Sequence, residues 1–248
     1  MRVDYLFVVA IVPAVPTTQV ERELVEDAHA CMAALVSKYK HKCRSVMSLA
    51  FKYPKNFNSF LDWSIDDKSY IHSGIQNMGE FATVDSHLSN SLVNYGFSPS
   101  ELDDIKSTER VGIYLVGNYD REDLVLETMM VEPVARMIKS MGLPKIDKLC
   151  LIACAAARVG VKSKENKKFP KHSQNANEKC FIYNLCQNLA PLTPMIAGWD
   201  GYVEVSTPSH QHGELGSKFT GDKVQKRVLH FRQGEPQWLL QAAGWSDK

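Results

Sequence analysis

The residues most able to do chemistry in this sequence are six cysteines: Cys31, Cys43, Cys150, Cys154, Cys180 and Cys186. A thiol becomes a nucleophile as its thiolate, which needs an exposed sulfur and a neighbouring base or positive charge. Cys154 has the most permissive surroundings. It ends the apolar run Leu151-Ile152-Ala153 and is followed by Ala155-Ala156-Ala157. Side chains this small let a substrate backbone approach and leave the sulfur uncovered. The competing reading is a small hydrophobe buried in a strand, since free cysteine is among the most buried residue types.

A partner base must come from elsewhere. His72, in His72-Ser73-Gly74, follows a polar stretch that makes a poor buried strand. His210 and His212 lie in a loop containing Gly and Ser, which would have to fold back over Cys154. A lone loop histidine is otherwise a solvated surface residue.

Metal and cofactor chemistry find little support. The Cys150-x3-Cys154 and Cys180-x5-Cys186 pairs, with His172 between them, invite a zinc reading. Tetrahedral zinc sites draw paired cysteines about two to four residues apart from a tight turn, whereas Cys150 and Cys154 lie in an expected strand. Asp66-Asp67 and Asp103-Asp104 sit in polar stretches that read as turns or helix starts. The sequence holds no Gly-x-Gly-x-x-Gly, no Gly-Lys-Ser/Thr loop and no His-Glu-x-x-His. Gly-x-Ser-x-Gly is absent too. The expectation is a protein with no metal and no cofactor.

The elements that must position Cys154 follow from hydrophobic pattern. Residues 6–12 form a continuous Val- and Ile-rich run stopped by Pro13, a strand buried on both faces. Thr17 or Thr18 caps a helix over residues 20–40, whose apolar positions Leu24, Ala28, Cys31, Leu35 and Tyr39 recur at helical spacing. Residues 46–51 read as a second strand. Residues 56–107 are polar with scattered aromatics; short helices fit around 58–63 and 84–95, with a further helix start at Ser98-Pro99.

The pattern then sharpens. Residues 111–116 form a strand that stops at Gly117-Asn118-Tyr119-Asp120. A helix begins at Glu132-Pro133 and ends at Gly142, and residues 149–153 form the next strand. A strand, helix and strand of this length make a βαβ unit with parallel strands. Residues 180–189 read as a helix and 195–205 as a strand bent at Gly198 and Gly201. A hairpin closes the pattern around Arg232-Gln233-Gly234-Glu235. The expected fold is a single α/β domain over residues 1–248, with a mainly parallel central sheet flanked by helices and a C-terminal β-hairpin.

Bulk composition narrows the function classes. Twenty-nine basic and 28 acidic side chains give a formal net charge of +1, which offers no polyanion-binding surface. The lysine-rich stretch 162–171 reads as a solvated loop. No nucleic-acid partner is expected. No segment approaches the roughly 20 apolar residues of a membrane span, and the apolar N-terminal run lacks the organisation of a secretory signal. Sparse cysteines inside apolar segments favour reduced thiols and a cytoplasmic location.

Two segments carry a family resemblance: Val111-Gly-Ile-Tyr-Leu-Val-Gly117, and Asp147-Lys-Leu-Cys-Leu-Ile-Ala-Cys154. With the crossover between them they resemble the core of the caspase-like (clan CD) cysteine peptidases. The greatest similarity is to the self-cleaving cysteine peptidase domains of large bacterial toxins. Residues 193–205 also resemble the strand that follows the cysteine helix there, so the likeness covers the second half of the chain. It implies Cys154 as nucleophile, and a protein or peptide as substrate or partner. The family's catalytic His-Gly is replaced by Asn118-Tyr119. Asn118 thus marks a vacant base position, since Asn can neither take the thiol proton nor protonate a leaving group.

Three readings follow. The first is a caspase-like cysteine peptidase homologue, a bacterial effector or toxin-related hydrolase if active and a pseudoenzyme if not. The second is a non-catalytic binding or scaffolding module of the same fold. The third is an unrelated doubly wound domain binding a small molecule at the same strand ends.

Overall fold

The apolar runs become strands of one sheet. The structure, a computed structural model, describes residues 3–13, 15–53, 105–117, 119–120, 125–126, 131–153, 156–157, 180–193, 195–200 and 226–239. The expected elements at 58–63, 84–95 and 98 lie outside them, as do His72, both Asp pairs and the lysine stretch.

Tyr5–Pro13 forms β1, buried along all nine residues. Leu6, Val8, Ala10 and Val12 face one side, and Phe7, Val9 and Ile11 the other, as the period of two requires. Gln19–Tyr39 forms α1, started by a capping box in which Thr18 and Glu21 satisfy each other's backbone N–H groups. Ser45–Tyr53 forms β2, parallel to β1 from Tyr5↔Ser45 to Pro13↔Tyr53. It runs two residues beyond the expected end because β1 supplies a ladder partner for its full length.

Val111–Val116 forms β3, parallel to β1 on the side away from β2. The expected stop after it contains a further device: Tyr119–Asp120 (β4) pairs antiparallel with Val125–Leu126 (β5). Strands of two residues carry no periodicity, so the sequence pattern could not show them. Val131–Ser140 forms α2, and Lys148–Ile152 forms β6, parallel to β3. Phe181–Leu189 forms α3, and Met195–Trp199 forms β7, parallel to β6. Within the described residues β7 stops at Trp199, where Asp200 turns away.

Lys226–Arg232 (β8) and Glu235–Trp238 (β9) complete the sheet antiparallel. Gln233 and Gly234 join them with φ of 54° and 86°, the doubly left-handed turn that matches strand twist in a two-residue hairpin. The order is β2-β1-β3-β6-β7-β8-β9, so β3 and β6 are adjacent and central. Helix α1 packs over β1, β2 and β3, while α2 and α3 pack together on the opposite face. No helix among the described residues is long and apolar enough to cross a membrane.

Candidate active site at the strand carboxyl ends

The chain winds from β1 to β2 in one direction and then to β3, β6 and β7 in the other. In open α/β sheets ligands bind beyond the carboxyl ends of strands near such a reversal. The last ladder pair of the central strands is Val116↔Ile152. The ladder closes with the Gly117 N–H donating to the Ile152 carbonyl at 3.4 Å. Asn118 and Cys154 each follow that pair by two residues in the chain. Both lie outside the described residues, as do His72, His210 and His212. What is described is the platform from which Asn118 and Cys154 leave.

That platform is held firmly just downstream of Cys154. The Ala157 N–H donates to the Trp199 carbonyl at 2.9 Å, and the Ala156 carbonyl accepts from the Ile182 N–H at 3.3 Å. The Cys180 thiol also reaches the Ala156 carbonyl, at 3.7 Å. Residues 156–157 are therefore pinned between the start of α3 and the end of β7. Close approach here depends on Gly198. A Cβ on it would stand 3.0 Å from the Ile182 Cγ2 and 3.4 Å from the Ala157 Cβ.

The neighbouring part of the rim holds a charge cluster that sequence reading missed. Asp200 is 2% exposed and accepts from the Arg227 guanidinium, Nε to Oδ2, at 2.9 Å. The Arg227 guanidinium lies 6.0 Å from the Trp238 ring centroid, and the Lys226 ammonium 5.7 Å from that of Trp199. The Trp199 indole N–H is buried with no acceptor among the described residues. The available signal was an Asp set between Gly198-Trp199 and Gly201 at the end of an apolar run. Its partner, 27 residues away, leaves no local pattern. Across the ladder Trp199 pairs with Lys226, so the segment 201–225, which carries His210 and His212, leaves and rejoins the described fold at this rim.

The described histidines stand elsewhere. His230 pairs with Met195 at the amino end of β7. It accepts from the Arg232 Nε at 2.6 Å, and burial and that guanidinium hold its pKa below the usual histidine range. His41 follows α1 just before β2, and His29 is buried midway along α1.

Three of the described thiols are poor nucleophiles. Burial pushes Cys31 and Cys186 up to about 12, and burial together with the Asp4 charge pushes Cys43 to about 11. Cys31, Cys43 and Cys186 carry free thiols. No group of His, Cys, Asp and Glu suited to a metal occurs among the described residues. The amino end of α1, at the same rim, is occupied by its own carboxylate. Glu21 accepts from the Thr17 and Thr18 N–H groups at 2.6 and 3.0 Å and from the Thr17 hydroxyl at 3.0 Å, which lowers its pKa to about 2.

Neither a protein-family model nor a curated protein matches this chain. Among solved structures it is similar to a secreted C11 cysteine protease from Bacteroides thetaiotaomicron, "iotapain". The two are 12% identical with a TM-score of 0.37, over 81% of this chain and 53% of that one. A structure of a secreted C11 cysteine protease from the same organism, in complex with an irreversible peptide inhibitor, is 10% identical with a TM-score of 0.38. That match covers 92% of this chain and 66% of the other. The chain thus spans between about half and two thirds of the length of these neighbours.

Proposed function

We propose that the chain is a caspase-like cysteine peptidase homologue in which Cys154 holds the nucleophile position and Asn118 the vacated base position. It binds an extended protein or peptide segment along the strand ends and does not turn it over by the family's ordinary route. One observation carries this reading. The central strands β3 and β6 are adjacent and parallel, and their carboxyl ends form one rim from which both segments leave. An antiparallel or separated pair would have ended it. A likeness to bacterial toxin domains and a cytoplasmic location belong to the same proposal, supported by the resemblance of residues 111–117 and 147–154 and by the sparse cysteines set in apolar segments.

The doubly wound small-molecule reading is weaker for anionic ligands. A phosphate at the start of α1 would meet the Glu21 carboxylate rather than open N–H groups.

The test is a panel of peptide substrates offered to the parent chain, Cys154→Ala, Asn118→His and the Asn118→His, Cys154→Ala double variant. General acid–base assistance contributes typically about 10²–10⁴-fold. Asn118→His should therefore gain cleavage that disappears in the double variant. Cleavage by the parent chain that Cys154→Ala abolishes would refute inactivity. Changing His72, His210 and His212 to Ala would then find the base.

A further inference from the structure

We infer that the amino-end rim of the sheet, around the starts of β2, β1 and β3, is a docking surface for an anionic lipid bilayer, held by charge alone. The near-neutral net charge of the chain conceals a polarity along its strands. Residues 38–44 and 106–110 carry six basic side chains: Lys38, Lys40, Lys42, Arg44, Lys106 and Arg110. The acidic side chains among and beside them are two, Asp4 and Glu109. Backbone hydrogen bonds bring these segments to one end of the sheet. The Arg44 N–H donates to the Asp4 carbonyl at 2.9 Å, and the Asp4 N–H to the Arg110 carbonyl at 2.7 Å. At the opposite end, the first nine residues of α1 carry four acidic side chains and one basic.

Both acids at the amino end are already bridged, Asp4 by Arg110 at 2.9 Å and Glu109 by Arg44 at 3.1 Å. Lys40, Lys42 and Lys106 have no acidic partner among the described residues. Lys42, Arg44, Lys106 and Arg110 are exposed, and Lys38 and Lys40 partly so. Gathering like charges costs repulsion, and the Tyr39 ring offsets part of it. The Lys38 and Lys42 ammonium groups lie 5.5 and 5.7 Å from its centroid.

The composition of this surface selects its partner. Protein interfaces have an apolar centre and are depleted in lysine. The exposed large hydrophobic residues among those described, Val15 and Val20, both stand at the other end. A lysine-rich surface with no apolar side chain to insert suits the anionic headgroups of a bilayer, which attract each cation within a Debye length. Docked this way the chain stays peripheral. The carboxyl rim, with the segments that lead to Asn118 and Cys154, faces away from the membrane whether or not Cys154 reacts.

The experiment is co-sedimentation of the full chain with vesicles of phosphatidylcholine alone and of phosphatidylcholine with phosphatidylserine. It is run at about 0.1 M and about 1 M salt, across which the Debye length falls from about 10 Å to about 3 Å. The parent should bind only the anionic vesicles, and only at the lower salt. Each lysine near such a surface is worth about fivefold in affinity, so Lys40→Gln, Lys42→Gln and Lys106→Gln together should weaken binding roughly a hundredfold. The control combines Gln19→Glu, Val20→Glu and Arg22→Gln, the same change in net charge placed at the other end. It should bind like the parent, with circular dichroism verifying that both variants are folded. Absence of binding to the anionic vesicles would overturn the inference, as would binding that survives the higher salt or weakens equally in the control. Capture of polyglutamate or duplex DNA without vesicle binding would overturn it too, giving the surface to an acidic protein or a nucleic acid.

Discussion

The two ends of the sheet are built on opposite principles. At the amino ends of the strands, charges are matched by charges and backbone groups. Arg110 meets Asp4 through Nη2 at 2.9 Å and through its own N–H at 2.9 Å; Arg44 meets Glu109 at 3.1 Å. The Val111 N–H donates to Asp147 at 2.8 Å, and the Tyr5 hydroxyl donates to Glu109 at 3.1 Å. These contacts tie together segments 106, 104, 65 and 36 residues apart. At the carboxyl ends the described residues are largely small: Gly117, Ala153, Ala156, Ala157 and Gly198, with one buried ion pair beside them. One end fixes the register of the sheet, and the other keeps side-chain volume low beyond the last residue of β6. Under the proposed function, stability and chemistry fall at opposite ends of the same strands.

Thiol reactivity gives the largest expected contrast between the ends. Cys43 stands at the amino end with its pKa raised to about 11. A Cys154 near the ordinary thiol value of about 8.5 would carry roughly three-hundredfold more thiolate at neutral pH. Mild alkylation with peptide mapping should label Cys154 first. Labelling of Cys43 with Cys154 untouched would make Cys154 a core residue and erase the contrast.

The ion pair at the carboxyl end comes next. Arg227→Met leaves the buried Asp200 carboxylate without this partner and should cost about 3 kcal/mol in urea unfolding. A loss below about 1 kcal/mol would mean that the pair is no more than a surface contact. Gly198→Ala tests the close packing of β7 against Ile182 and Ala157. Its Cβ forces Ile182 or the 156–157 segment to move, for an expected loss of about 1–2 kcal/mol.

The amino-end clip is the smallest effect and the one with a sign in pH. The Arg110 guanidinium beside Asp4 holds its carboxyl below the ordinary 3.8. A depressed carboxylate stabilises above its unfolded pKa and loses that contribution as pH falls through the folded value. Asp4→Asn should therefore cost less than about 1 kcal/mol at neutral pH, the range of an exposed pair. Its deficit relative to the parent should shrink below pH 3.8. A deficit independent of pH would assign the effect to Asp4's packing instead.

The legibility of these two ends in the sequence differed for physical reasons. The strands were readable because β1, β3 and β6 are buried on both faces, which forces runs such as Leu-Phe-Val-Val-Ala-Ile-Val with proline or glycine at their ends. Helix α1 was readable from its period and from Thr18. The amino-end clip was not, since Asp4 and Arg110 are 106 residues apart and neither stands out locally. The Asp200–Arg227 pair escaped for the same reason. Of the candidate site, the sequence supplied the adjacency of the strand ends that precede Asn118 and Cys154, because a βαβ unit constrains its two strands. The chemistry of those two residues rests on the family resemblance.

The position of β1 between β2 and β3 also has a consequence for the route by which the chain folds. Tyr5 pairs with Ser45 on one side and with Val111 on the other, 40 and 106 positions along the chain. Closing the longer loop costs about 0.9 kcal/mol more in chain entropy, by the logarithmic dependence on loop length. The β1–α1–β2 unit also gains the full nine-residue ladder, against six residues for β1 with β3. Both differences favour its forming first and then serving as the template onto which β3 and β6 assemble. In pulse-labelling hydrogen exchange, amides of residues 5–13 and 45–53 should gain protection before those of 148–152. The strand that leads to Cys154 would then be among the last parts of the parallel sheet to become ordered.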